Sequence, residues 1–161
     1  DLPLKPPPLL REHRLYQADW LMRFYGFAHE EIIVPGSVGM LDLEIDPKLA
    51  WALAHRQHFP VNLNRASKMW LLRVPGLGVR SVQRLLAARR VRLLRLADLQ
   101  QLRVATSKVL PFVEMADYHP QPATLESPHL RQHLLARMHT TTAQQSHSGM
   151  QHPAEAQLAL F

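Results

Sequence analysis

Two glycines one residue apart, Gly76 and Gly78, stand in the run Leu71-Leu72-Arg73-Val74-Pro75-Gly76-Leu77-Gly78-Val79-Arg80-Ser81-Val82, with basic side chains close by at Lys68, Arg73, Arg80 and Arg84. The chemistry open to such a stretch is anion binding. Pro75 fixes one backbone angle, while the glycines permit positive φ and the close approach of a phosphate or of another backbone. A helix starting just after Gly78 offers amide N–H groups without intrahelical acceptors, at the end where its dipole favours negative charge. On this reading Pro75, Gly76, Leu77, Gly78 and Val79 form the phosphate-binding turn, in which Gly76, Leu77 and Gly78 present backbone amides to phosphates. Lys68, Arg80, Ser81 and Arg84 add side-chain contacts.

A helix on each side must hold that turn. Downstream, Val79, Val82, Leu85 and Leu86 form one apolar stripe, with Arg80, Gln83 and Arg84 opposite. Upstream, Asn64 is placed to cap a helix running to about Arg73, with Ala66, Met69, Trp70 and Leu72 inward.

Charge isolates the same region. The chain of 161 residues carries a formal +6, distributed unevenly. Asp1 to His58 has six basic and eight acidic residues, and Val109 to Phe161 has two basic and four acidic. Phe59 to Lys108 holds eleven Lys and Arg against one acid, Asp98, a net of +10. That is the footprint of a surface for a polyanion. Cysteine is absent, which excludes disulfides, thiolate nucleophiles and Cys-ligated clusters from this chain. With no apolar run of membrane-spanning length and no signal-peptide pattern, the expectation is a cytoplasmic protein without membrane contact.

In chain order, Pro3, Pro6, Pro7 and Pro8 give an extended entry, followed by a helix from Arg11 to Phe24 that stops near Gly26. Leu15, Trp20, Leu21 and Phe24 are its expected core contacts, and Arg11, His13, Arg14, Gln17 and Asp19 its polar face. A short helix over His29 to Val34 follows. Asp46 caps another, with Pro47 at its first position, ending near Arg56. Beyond the glycine turn, Leu96 to Leu102 and Lys108 to Asp117 read as a second helix pair, the latter capped by Thr106 or Ser107. The turn between them has no glycine, so this pair is expected to support the first rather than approach phosphate. The predicted fold is all-α, with an N-terminal helical segment (1–59), a four-helix unit (60–117) and a disordered tail (118–161) broken by one helix from Ser127 to Met138.

Catalytic chemistry finds little purchase. No nucleophile–base pair or paired carboxylates stand out; His13 with Asp19 is the best polar candidate, and His129 with His133, four residues apart, lacks a third metal ligand. No catalytic residue and no cofactor are therefore assigned.

The Val74-Pro75-Gly76-Leu77-Gly78 turn, with Val82 after it and Asn62-Leu63-Asn64-Arg65-Ala66-Ser67 before it, resembles the helix-hairpin-helix motif of DNA-uptake competence proteins and excision-repair nucleases. The resemblance implies sequence-independent binding of DNA backbones by the turn from Pro75 to Val79, with the second helix pair a degenerate repeat. It also implies a monovalent cation on the carbonyls of Leu72, Val74 and Leu77 that bridges to a phosphate. The final Gln157-Leu158-Ala159-Leu160-Phe161 resembles the peptide by which bacterial polymerases and repair proteins dock on the sliding clamp, with Gln157, Leu158, Leu160 and Phe161 as contacts.

More widely, Pro8-Leu9-Leu10-Arg11-Glu12-His13-Arg14-Leu15-Tyr16-Gln17-Ala18-Asp19-Trp20, then Asp46-Pro47-Lys48-Leu49-Ala50-Trp51-Ala52-Leu53, then Asn62 to Arg90, are similar to the C-terminal part of a bacterial family of DNA modification or repair radical S-adenosylmethionine proteins. Members would carry a 4Fe-4S cluster on three cysteines and cleave S-adenosylmethionine. This chain has no cysteine and begins at Asp1, so the resemblance implies a piece of a longer protein or a gene remnant, with the cluster and S-adenosylmethionine confined to the missing catalytic part. The Arg11 to Trp20 helix would lie against that part. The competing reading is an interaction scaffold tethered to the clamp by its C-terminal peptide.

Overall fold

The computed structural model describes residues 9–33 and 41–145, and the side chains of all of these except 141–145. It is built of helices α1 (Leu9–Phe24), α2 (His29–Ile32), α3 (Pro47–Ala54), α4 (Lys68–Arg73), α5 (Val79–Arg89), α6 (Leu96–Gln101), α7 (Thr106–Val109), α8 (Pro122–Glu126) and α9 (Leu130–Gln145). Two short strands, β1 (Val61–Asn62) and β2 (Val113–Glu114), pair in parallel with Val61 opposite Val113 and Asn62 opposite Glu114. The all-α class therefore holds apart from this small ladder.

α1 turns a different face inward from the one its apolar residues suggest. Arg14, Gln17, Ala18 and Leu21 are buried, at the three-and-four spacing of one helical stripe, whereas Leu15 and Phe24 are exposed and Trp20 is only half-buried. Two polar groups go inside because they are satisfied there. Arg14 donates to the carbonyls of Leu43 (3.2 Å) and Glu44 (3.2 Å) and to Gln17 Oε1 (2.8 Å). Outside, Tyr16, Trp20 and Phe24 form a row of rings with centroids 5.9 and 4.4 Å apart.

Asp46 caps α3 as expected, accepting from the Leu49 amide at 2.9 Å, with Pro47 at the first position. Asn64 does not cap α4; Ser67 does. The Asn64 side chain instead pairs with the Leu94 backbone, accepting from its N–H (2.7 Å) and donating to its carbonyl (3.1 Å), so it ties the approach to α4 to the segment after α5. The helix expected from Lys108 to Asp117 is also absent. α7 ends at Val109, Pro111 sits in a 3-10 turn over Leu110–Phe112, and β2 then pairs with β1, with Leu63 N–H donating to Glu114 O at 3.0 Å.

One core joins these elements, running from Ala18 and Leu21 through Leu49, Trp51, Leu71, Leu77, Leu85, Leu99 and Phe112 to Leu125, Leu130 and Leu134. The boundaries at 59 and 117 do not divide it. Nor is the region from 118 structureless: α8 and α9 bury Leu125, Leu130 and Leu134 against the rest, and α9 packs on α7 and α8.

Candidate nucleic-acid interface

α4 and α5 are joined by Val74–Gly78, and the two glycines do different work. Gly76 has φ +85°, and a Cβ placed on it would lie 2.6 Å from Val109 Cγ2 on α7. The close approach that glycine permits is thus made by the protein's own second helix pair. Gly78 has φ −84° and ψ 171°, ordinary extended backbone, and serves as the N-cap of α5 with Val82 N–H donating to its carbonyl at 3.0 Å. Gly78 has no side chain to cap α5, and the Val79 amide in its first turn donates a hydrogen bond to the Tyr25 hydroxyl. Pro75, Gly76 and Leu77 are buried, and the Leu77 amide donates to Val74 O (3.2 Å) within the turn. Leu77 N–H is therefore not the free phosphate donor expected of it, and Gly76 faces Val109. Exposure returns at Gly78, Val79 and Ser81, all half-buried, and is full at Arg80 and Arg84.

The carbonyl of Leu77, assigned above to a monovalent cation with those of Leu72 and Val74, accepts a hydrogen bond from Lys48 Nζ at 2.5 Å. Val74 O is the acceptor within the turn. Lys48 projects from α3, is 0% exposed, and holds its ammonium 4.6 Å from the centre of the Tyr25 ring. Burial pushes its pKa well down, opposed by nearby Asp46. Tyr25 is itself pushed up to about 12, chiefly by burial. Asp46 is buried and ion-paired to Lys108 of α7. Burial works to raise its pKa, but the charge and hydrogen bond of Lys108, the Leu49 amide and Lys48 outweigh it and hold the carboxyl below its usual value. This linked set beneath the turn was missed from sequence. Its one local signal was a lysine directly after the Asp46-Pro47 helix start, in an otherwise apolar helix.

The basic residues of the central region sort into two groups. Arg73 is buried, paired with Glu31 at 2.9 Å, its guanidinium 4.3 Å from the Phe27 ring centre and 4.7 Å from that of Trp51. Arg89 donates to the carbonyls of Leu63 (3.2 Å) and Ala66 (2.6 Å), Arg92 pairs with Asp98, and Lys108 with Asp46. Arg73, Arg89 and Lys108 thus build the fold, while Arg92 is an exposed guanidinium engaged by the carboxylate of Asp98. Arg65, Lys68, Arg80, Arg84, Arg90, Arg95 and Arg103 are all exposed. Among the described residues, no hydrogen bond or ion pair engages the side chains of Lys68, Arg80 or Arg84, the three cations assigned to DNA contact. They flank the turn from the start of α4 and the first turns of α5.

The remaining candidates are dispersed. His13 is exposed, and Asp19 pairs with Arg23 at 2.9 Å instead. The His129 and His133 ring centres are 6.5 Å apart, and among the described residues no group of three His, Asp or Glu side chains is placed to hold a metal. A cleft is lined in part by Arg56, Phe59, Pro60, Leu125, Glu114 and His119, the last two 3.0 Å apart. Among the described residues no helix is long and apolar enough to cross a membrane. The peptide Gln157, Leu158, Leu160 and Phe161 lies outside the described residues. Compared with known proteins, the chain matches no family model, no curated protein and no solved structure.

Proposed function

We propose that this chain is a sequence-independent DNA-binding module that grips phosphates through the α4–α5 turn, serving a DNA repair or modification activity. The observation that carries the reading is the division of the basic residues. Four are engaged by partners within the protein, while Lys68, Arg80 and Arg84 remain exposed around the turn. Charges needed only for solubility would be interspersed with acids, and between Phe59 and Lys108 Asp98 is alone. Such a surface binds backbone rather than base edges, with non-specific dissociation constants of about 10⁻⁴ to 10⁻⁶ M at physiological salt. Lys48 already occupies the Leu77 carbonyl and Tyr25 the Val79 amide, so the grip relies on the exposed side chains and needs no free ion at that carbonyl.

Fluorescence anisotropy of a labelled duplex at several salt concentrations tests this. The expected result is an affinity that falls with salt on a log–log plot, and an R80A/R84A double variant whose slope is shallower by about 2. Unchanged affinity and slope in that variant would remove the turn from the account.

Two further roles rest on the same resemblances. The row Tyr16, Trp20 and Phe24 offers an exposed aromatic surface on α1 against which an attached radical S-adenosylmethionine catalytic domain would pack. The terminal Gln157-Leu158-Ala159-Leu160-Phe161 supports tethering to a bacterial sliding clamp, in which case deleting it abolishes clamp capture and leaves DNA affinity intact.

A further inference from the structure

We infer that the imidazole of His58 and the indole of Trp70 form a stacking platform for an unpaired nucleobase, so that the module engages single-stranded DNA as well as backbone. The inference rests on the DNA-binding reading above and adds the form of the strand. Its floor is Trp51 of α3, 3% exposed in the core. The His55 ring lies 4.6 Å from it at an interplanar angle of 18°, held by a hydrogen bond between His55 Nδ1 and the Trp51 carbonyl at 2.8 Å. His58 lies parallel to Trp51 within 4°, at 6.2 Å. Trp70 of α4 completes the group, 5.1 Å from His58 and 6.5 Å from Trp51.

The cluster grades from buried to open. Trp51 is enclosed, His55 and Trp70 are half-buried, and His58 is exposed; Met69, next to Trp70 in the chain, is 51% exposed. The backbone beneath is fixed by the 3-10 turn Arg56–His58, where His58 N–H donates to His55 O (3.1 Å) and Phe59 N–H to Arg56 O (3.0 Å). An aromatic group set rigidly at a surface suits a flat, π-faced ligand, and its ordering cost is already met by the fold. Charge selects which flat ligand. Arg65 and Lys68 are exposed in the stretch that leads to Trp70, and no acidic residue occurs from Phe59 to Ala97. Aromatic rings beside exposed cations match a base still attached to its phosphates. Within a duplex both faces of a base are covered by its neighbours, so the base received here must be unpaired and unstacked.

The test compares the full chain binding two labelled strands of equal length and charge, oligothymidine and an abasic analogue with the same phosphates. Oligothymidine should bind more tightly by about 5- to 100-fold for each base stacked, and should quench tryptophan fluorescence where the abasic strand does not. H58A and W70L should each reduce that preference. Because His58 is exposed, H58A leaves the core intact, and its thermal unfolding is followed alongside. Equal affinity for the two strands, or an undiminished preference in H58A and W70L, overturns the platform. The R80A/R84A variant separates this result from the backbone grip. If it weakens both strands and keeps their ratio, grip and platform both stand. If it weakens neither while the base preference persists, the grip fails and the platform remains.

Discussion

Gly76 and Gly78 look equivalent as letters, yet one alanine should cost far more than the other. At Gly76 an alanine meets a left-handed φ of +85°, worth about 1–2 kcal/mol of backbone strain, and its Cβ would stand 2.6 Å from Val109 Cγ2. Close packing adds about 1–3 kcal/mol. Gly76→Ala is therefore expected to lower unfolding free energy by about 2–5 kcal/mol in urea titration. Adding Val109→Ala should recover the steric part and leave the strain. Gly78→Ala, at φ −84°, loses only a modest N-cap preference and should cost under about 1 kcal/mol. Equal losses at the two positions would mean that contact with α7 does not set the turn. The sequence pattern located the turn because glycine and proline act locally. Which glycine was obligatory depended on Val109, 33 positions away, and no local rule reaches that far.

At the scale of elements, α3 and α7 are tied together beneath the turn by Asp46 and Lys108, and pH should expose that tie. A carboxyl held low in the folded state stabilises the fold above its unfolded pKa and loses that contribution as pH falls through the folded value. Asp46 is one such group. Asp42 is another: partial burial raises its pKa, but the Arg131 hydrogen bond and charge and the Glu44 and Ile45 amides lower it by more. Stability should be level from neutral pH to about pH 5 and drop below about pH 4. Lys108→Met strands a buried carboxylate and should cost about 3 kcal/mol at neutral pH, with a weaker acid dependence because Asp46 no longer titrates so low. Asp46→Asn in the Lys108→Met background should restore part of the loss; no recovery would sink the pairing argument. The cap role of Asp46 was legible because a side chain and an amide three residues on settle it. Its ion pair spans 62 positions and was not. The same distinction explains Asn64, whose side chain was read as a local cap and is used instead on Leu94, and β2, which forms because Val113 finds Val61.

For the whole molecule, the question is whether α9 belongs to the unit that carries the proposed interface. Its composition, rich in Gln, His and Thr, reads as part of a tail; among its described side chains Leu135 and Met138 pack partly buried against the core, and Leu130 and Leu134 are buried. Those two leucines are 2% and 3% exposed, and Arg131 beside them reaches Asp42 and donates to Glu44 Oε2 at 2.7 Å, close to the carbonyls that hold Arg14. That places α9 on the same framework as α1 and α3. All three tryptophans, Trp20, Trp51 and Trp70, lie in α1, α3 and α4, so their fluorescence reports the front of the chain, whereas helix circular dichroism includes α9. Leu134→Ala should cost about 2–5 kcal/mol and move both urea transitions together to the same lower midpoint. If the dichroism shifted alone, with the tryptophan transition unmoved, α9 would be a separate unit and the core from α1 to α8 would stand without it. A joint shift would mean that the stability of the α4–α5 turn is coupled to α9, since the turn rests on α7 through Gly76 and α9 packs on α7 from elsewhere in the chain.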